Sequence, residues 1–208
     1  MEVGKLFFRT YKILKKKVNL MCGILILKSH KISQQNKKDF LNSLRYMKHR
    51  GPDKSSKVIK KDILIGFNRL SINKIKNGTQ PLTSECGRYT AVFNGEIVNF
   101  LELIKELKTK GIKTRFNSEI EVILNYYILY EDKCVNFFRG FFAIAIYDNY
   151  KKTLFSAVDR LGIKPIYYYL SSNKKFFILT SDYSHLVKYK MANLKIDNNS
   201  LMNFICLG

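Results

Sequence analysis

The sequence predicts an α+β sandwich, in which two layers of strands are covered on their outer faces by amphipathic helices. Two patterns lead to this fold class. Short apolar runs rich in β-branched and aromatic residues recur along the chain, and segments with apolar residues at helical spacing lie among them. With 208 residues, including 15 Phe and 13 Tyr, the chain is long enough for one domain with a substantial core.

The apolar runs predict the strands, and cap and breaker residues predict the helices. The run from Met21 to Leu27 is typical of the first strand of a buried sheet, and the run from Phe141 to Asp148 is apolar on both sides and therefore central. Further strands are predicted at residues 63–67, 89–93, 154–158, 167–170 and 176–179. Helices are predicted after Ser33, between an Asn94-Gly95 turn and Gly111, after Asn117 or Ser118, and after Ser181-Asp182, with a separate turn at Asn77-Gly78.

Composition excludes several classes of protein. The formal net charge is +21, but the lysines are spread along the chain in ones and twos, which argues against nucleic acid as a partner and favours a compositional origin of the charge. No apolar run has the roughly 18 residues of a membrane span. The four cysteines have no paired spacing, which predicts neither a disulfide framework nor a metal site and favours a cytoplasmic location.

Cys22 follows a methionine, which gives it a special chemical possibility. If translation begins at Met21 and that residue is trimmed, Cys22 carries both a thiol and a free α-amine. An α-amine has a pKa of about 7.7–8.0, so it can serve as the general base of the thiol beside it. The alternative is that Cys22 is a small buried hydrophobic residue of the first strand.

Residues 1–20 form a basic extension ahead of this cysteine, and they are interpreted as a propeptide, a transit segment or a mis-assigned start. The interpretation matters because the nitrogen of an uncleaved Cys22 is an amide without basicity. Asn94-Gly95 is a second candidate site, since an Asn amide and a glycine N–H at one chain reversal can both donate to an oxyanion. The alternative for this pair is an ordinary Asn-Gly turn.

Six motifs in order carry a family resemblance. They are Met21-Cys22-Gly23-Ile24, His49-Arg50-Gly51-Pro52-Asp53, Arg69-Leu70-Ser71-Ile72, Phe93-Asn94-Gly95-Glu96-Ile97, Ser118-Glu119-Ile120-Glu121-Val122-Ile123-Leu124 and Leu161-Gly162-Ile163-Lys164-Pro165. Together they resemble the glutaminase domain of class II glutamine amidotransferases, and most of all that of glutamine-hydrolysing asparagine synthetase. The resemblance implies an amidotransferase domain at residues 21–190 with the four-layer αββα sandwich of N-terminal nucleophile hydrolases.

The resemblance also implies site residues. Cys22 would attack the side-chain amide of L-glutamine to give a γ-glutamyl thioester and ammonia, with the oxyanion held by Asn94 and the Gly95 N–H. Substrate would be bound by Arg69 at its α-carboxylate and by Gly95, Glu96 and Glu119 around its α-ammonium.

Departures from the family pattern leave alternatives open. Glu119 stands where the family usually has Asp, and Val158 where it usually has Arg. Residues 191–208 are interpreted as the start of a connection to an absent synthetase domain or subunit, to which ATP and Mg²⁺ would belong, and no cofactor is expected in the glutaminase domain. The alternatives are a glutaminase that feeds another acceptor, or a degenerate, non-catalytic amidotransferase module that acts as a basic binding or assembly protein.

Overall fold

The structure is a computed structural model that describes residues 21–71, 79–189, 191–192 and 197–207. The predictions for residues 1–20 and for the Asn77-Gly78 turn lie outside these residues. Within them, two antiparallel sheets form the centre of the molecule.

The first sheet has five strands in the order β2-β3-β1-β9-β8. Its strands are β1 (Gly23–Ser29), β2 (Lys54–Ile59), β3 (Ile63–Arg69), β8 (Tyr167–Leu170) and β9 (Phe176–Thr180). The second sheet has four strands in the order β4-β5-β6-β7. These are β4 (Leu82–Thr83), β5 (Tyr89–Ile97), β6 (Gly140–Asp148) and β7 (Thr153–Val158). As predicted, β6 is a central strand, and its buried residues face both sides.

Helices cover the outer face of each sheet. They are α1 (Gln34–Tyr46), α2 (Phe100–Thr109), α3 (Glu119–Tyr130), α4 (Ser184–Lys188) and α5 (Asn198–Leu207), with 3₁₀ turns at Met47–His49 and Glu131–Phe137. Ser33 caps α1 through a reciprocal capping box with Asn36, as its position predicts. Gly111 follows α2 with φ +76°, the left-handed geometry that ends many helices.

Three apolar cores separate the layers. One core joins α1 and α4 to the first sheet through residues such as Phe40, Leu44 and Leu25. A second lies between the two sheets, and a third joins α2 and α3 to the second sheet. The order of layers is therefore helix, sheet, sheet, helix, which confirms the predicted α+β sandwich.

The predicted turn at Asn94-Gly95 is wrong, because β5 continues through both residues to Ile97. The pairing of β5 with β6 extends as far as Ile97 and Gly140, and this pairing keeps Asn94 and Gly95 in an extended conformation. Gly95 takes φ +149° within the strand, and a Cβ there would lie 2.1 Å from the Phe141 carbonyl oxygen. The helix consequently begins at Phe100 rather than directly after the motif.

The expectation that Asn117 or Ser118 caps α3 is also only partly met. Ser118 occupies the N-cap position, but its side chain makes no capping hydrogen bond, and Asn117 has φ +47°. The two acids of the first turn bind other segments: Glu119 accepts from the Ile97 N–H, and Glu121 accepts from the N–H groups of Arg115 and Phe116.

Candidate active site

The two sheets stack face to face, and contacts between them occur at both ends of the sandwich. At one end the Tyr147 hydroxyl donates to the carboxylate of Asp62, which lies just before β3. At the other end Lys164 Nζ lies 3.5 Å from Met21 Sδ and 5.2 Å from the ring centroid of Phe141. The beginning of β1 therefore meets the end of the second sheet where β6 begins and β5 ends.

Strand alternation turns the candidate site residues into the same space. Ile24 and Ile26 of β1, Phe67 of β3 and Val92 of β5 all contact the core between the sheets. Cys22, Arg69 and Asn94 each lie two residues from one of these positions, and side chains two residues apart share a face of a strand. The fold thus brings the three residues to one end of the inter-sheet space, although they are separated by up to 72 positions in the sequence.

The Cys22 thiol contacts the backbone of the chain just after β3. The Leu70 N–H donates to Sγ at 3.4 Å, and Sγ lies 3.7 Å from the Leu70 carbonyl oxygen. Burial raises the pKa of the Cys22 thiol above its usual value. The Leu70 N–H and the positive charges of Arg69, Lys164 and Arg50 oppose this rise because each favours the thiolate.

The loop with the His49-to-Asp53 motif holds both Cys22 and the Arg69 segment. Arg50 is 9% exposed, and its Nε donates to the Cys22 carbonyl oxygen at 3.4 Å. Asp53 donates its N–H to the Arg69 carbonyl oxygen at 3.1 Å and accepts the Ser71 N–H at 2.6 Å. Gly51 allows this close approach, because a Cβ there would lie 2.3 Å from the Asn68 carbonyl oxygen. The motif therefore supports both Cys22 and the Arg69 segment.

The chain after β9 supports the same end of β1. Ser181 Oγ accepts the Ile24 N–H at 2.9 Å, and the Ser181 N–H donates to the Ile24 carbonyl oxygen at 3.0 Å. The carboxylate of Asp182 lies 3.1 Å from His49 Nε2. Sequence reasoning missed Arg50 and Ser181 as supports of Cys22, since neither contact leaves a local signal in the sequence.

Asn94 and Gly95 lie next to each other near the end of β5, and the Asn94 side chain is buried there. Asn94 is 4% exposed, and within the described part of the chain its Nδ2 finds no hydrogen-bond acceptor. A buried amide donor without a partner costs about 1–3 kcal/mol, so such a group marks a place where a ligand oxygen is expected. Gly95 follows it as a half-buried residue of β5, at a position where only glycine fits the backbone.

Glu119 lies beside the end of β5. Its Oε1 accepts the Ile97 N–H at 2.6 Å, which fixes the carboxylate next to the Asn94-to-Ile97 segment. Burial raises the pKa of Glu119, the Ile97 N–H lowers it, and the neighbouring charge of Glu96 raises it. Glu96 itself is exposed. The two acids therefore form a negative region at the same end of the sandwich as Cys22.

The segment from Asp159 to Pro165 covers this end of the second sheet. Asp159 accepts the backbone N–H groups of Phe142, Leu161, Ile163 and Lys164. Burial acts to raise the pKa of Asp159, but these hydrogen bonds outweigh it and hold the pKa below its usual value. Val158, at the end of β7, is 43% exposed. The carboxylate of Asp159 thus organises the loop that carries Lys164.

Other kinds of site find no support within the described ranges. No group of three or more His, Cys, Asp or Glu residues could hold a metal ion there. In those same ranges no helix has the length and apolar character needed to cross a membrane.

The family is shown by comparison with known proteins. A family model described as a glutamine amidotransferase domain matches residues 21–208. Glutamine-hydrolyzing asparagine synthetase 1 of Bacillus subtilis strain 168 is 33% identical over 188 residues, which cover 89% of this chain and 29% of that protein. Glutamine-hydrolyzing asparagine synthetase 1 of Saccharomyces cerevisiae is 32% identical over 147 residues, which cover 71% of this chain and 25% of that protein.

A solved structure shows the same fold. The glutamine phosphoribosylpyrophosphate amidotransferase from B. subtilis, complexed with ADP and GMP, matches with a TM-score of 0.67 and 17% identity, over 81% of this chain and 44% of that chain. The likeness shows that the two chains share a fold and confirms the predicted α+β sandwich. The chain belongs to the glutamine amidotransferase domain family. It corresponds to the glutaminase part of glutamine-hydrolysing asparagine synthetases and spans less than a third of the length of the B. subtilis relative.

Proposed function

We propose that this chain hydrolyses L-glutamine to glutamate and ammonia, with Cys22 as the nucleophile. The observation that carries the proposal is the buried Asn94 Nδ2 donor, which has no acceptor in the described residues and faces the same end of the inter-sheet space as the Cys22 thiol. A preorganised donor without a protein partner is what the oxyanion of an amide-hydrolysing reaction requires.

The reaction would proceed in two balanced steps. Cys22 Sγ attacks the side-chain amide carbon while its proton passes to the α-amine of the same residue, and Asn94 Nδ2 and the Gly95 N–H donate to the oxyanion. The C–N bond then breaks, and the amine returns the proton to the leaving nitrogen to release ammonia. Water, deprotonated by the amine, attacks the thioester, which yields glutamate and restores the thiol.

Substrate would be held by charges of both signs. Arg69, at the end of β3 and close enough to Cys22 to favour its thiolate, would bind the α-carboxylate through its planar donors. Glu119, with Glu96 nearby, would attract the α-ammonium at the end of β5. Binding of the α-carboxylate by Arg69 and of the α-ammonium by Glu119 would then orient the side-chain amide toward Cys22.

The proposal requires that the residues before Cys22 are removed, because only a free α-amine can accept the thiol proton. It also assigns the ammonia to asparagine synthesis by a synthetase domain or subunit, in line with the names of the relatives, and ATP and Mg²⁺ would act there. A cytoplasmic location is part of the proposal, and the four cysteines, all free thiols, fit a reducing compartment.

Ammonia release from glutamine by protein that begins at Cys22 tests the proposal. We expect release by this protein, none above background by Cys22→Ala, and a kcat about 10²–10³-fold lower with little change in KM for Asn94→Ala. Equal rates for the Cys22→Ala variant and the unchanged protein would reject Cys22 as the nucleophile. Absence of release from folded, unchanged protein would instead favour a non-catalytic module.

A further inference from the structure

The reaction proposed above gives no role to Lys164, although this residue lies beside the segment where the free amine must appear. Its Nζ lies 3.5 Å from Sδ of Met21, the residue bonded to the Cys22 nitrogen. The same ammonium lies 5.2 Å from the centroid of the Phe141 ring. Phe141 lies on β6 next to Phe142, the residue that pairs with Gly95 of β5. The Lys164 ammonium therefore lies between the start of β1 and the start of β6.

We propose that Lys164 is a positioning residue that sets the charge state of Cys22, favouring the unprotonated α-amine and the thiolate at neutral pH. A positive charge next to an amine disfavours its protonation, and next to a thiol it favours ionisation. Both effects serve the same step, because the amine must be free to accept the proton and the thiol must be able to lose it. This inference rests on the proposed function of Cys22.

The position of Lys164 is fixed by its loop rather than by its own flexible side chain. Its N–H donates to Asp159 at 3.2 Å, and the same carboxylate holds the N–H groups of Leu161 and Ile163 at 3.1 and 3.0 Å. Pro165 follows directly and restricts the backbone of Lys164. The Phe141 ring supports the ammonium from one side through its π face. The loop thus fixes the backbone of Lys164, and the Phe141 ring supports its ammonium.

The other positive charges around Cys22 have further partners or assigned roles. Arg50 and Arg69 also favour the thiolate, and Arg50 in turn lies close to Asp182 and Tyr167. Arg50 is used in a hydrogen bond to the Cys22 carbonyl oxygen, and Arg69 is assigned to the substrate carboxylate. Lys164 contacts Met21, the residue that precedes Cys22. Removing a unit charge from the vicinity of a titrating group shifts its midpoint by about 0.5–2 pH units, depending on the distance and the local dielectric.

The test compares Lys164→Gln, which removes the charge, with Lys164→Arg, which keeps it, in protein that begins at Cys22. Lys108→Gln on the exposed side of α2 is the matched control for loss of a surface charge. Two readouts are measured as a function of pH: kcat/KM for glutamine, and the rate of iodoacetamide modification at Cys22 located by peptide mass mapping. Lys164→Met serves in the same comparison if the glutamine variant does not fold.

We expect Lys164→Gln to move the midpoints of both profiles upward by about 0.5–2 pH units, with KM at high pH unchanged. Lys164→Arg and Lys108→Gln should keep the original midpoints. Unshifted midpoints in a folded, uncharged variant would overturn the inference even if glutamine is hydrolysed. If the unchanged protein releases no ammonia but its alkylation midpoint still moves in Lys164→Gln, the proposed function fails while the electrostatic role of Lys164 stands.

Discussion

His185 gives a prediction about acid stability that can be worked from its surroundings. The side chain is fully buried in α4, and its Nε2 lies 3.0 Å from Thr180 Oγ1. Since the Thr180 hydroxyl donates to the Asp182 carbonyl oxygen at 2.9 Å, Nε2 carries the proton and Nδ1 is the bare nitrogen. Nδ1 has no hydrogen-bond partner in the described residues. Burial lowers the pKa of His185 to about 4, although the charge of Asp182 acts to raise it.

The sign and size of the effect follow from linkage. The unfolded chain takes up this proton near pH 6.5 and the folded chain only near pH 4, so the unfolded state binds more protons between these values. The full contribution to the free energy of unfolding is present above pH 6.5 and is lost as the pH falls toward 4. The loss reaches about 2 kcal/mol at pH 5 and about 3 kcal/mol below pH 4.

Urea denaturation at pH 7 and pH 5 measures this loss. We expect the difference in the free energy of unfolding between the two pH values to be smaller by about 2 kcal/mol in His185→Gln than in the unchanged protein. His30→Gln, at an exposed histidine, is the control and should keep the original difference. The same pH difference in His185→Gln as in the unchanged protein would refute the argument, whatever the variant's stability at pH 7.

Three further substitutions test other contacts. Gly95→Ala should lower the free energy of unfolding by about 2–4 kcal/mol in thermal or urea unfolding, because its Cβ would lie 2.1 Å from the Phe141 carbonyl oxygen. Gly87→Ala is the control and should cost about 1 kcal/mol, because a Cβ there has nothing within 4 Å. Equal costs for the two variants would contradict this prediction. Glu119→Gln should raise KM for glutamine about 10- to 100-fold with kcat little changed, because the Gln side chain can still accept the Ile97 N–H but carries no charge. An unchanged KM would show that Glu119 does not bind the substrate ammonium. Asp159→Asn should lower the free energy of unfolding by about 2–4 kcal/mol near pH 7 in urea unfolding. This cost should shrink as the pH falls through the lowered pKa of Asp159. A cost independent of pH would count against the stabilising role of the four hydrogen bonds to the Asp159 carboxylate.

Much of the fold could be predicted because its signals are local. The runs that became β1, β6 and β9 are continuously apolar, and the Ser33 capping box and Gly111 mark helix ends by their own chemistry. The strand β2 gave no such signal, since it is a lysine-containing edge strand with an exposed pattern. The position of Asn94-Gly95 was misjudged because an Asn-Gly pair is a common turn signal, and only the pairing with β6 keeps it extended.

The candidate site residues could be named from sequence motifs, but the contacts that support them could not. Cys22 and Asn94 belong to motifs that resemble a known family, and the fold turns both toward the same space. The roles of Arg50 and Lys164 depend on distances across 28 and 142 positions of the chain, and tertiary packing alone determines such distances. Lys164 in particular is an ordinary loop residue until Asp159 and Phe141 fix it beside the first strand.

The claim that Cys22 acts as nucleophile with its own α-amine as base is tested most directly by one pair of rates. Ammonia release from glutamine is measured with two folded proteins that differ only in the presence of Met21, so that one begins at Cys22 and the other at Met21. The account predicts that the Met21 form is slower by about 10²–10⁴-fold, because its Cys22 nitrogen is an amide. Equal rates, with Met21 shown by mass spectrometry to remain in place, would contradict it.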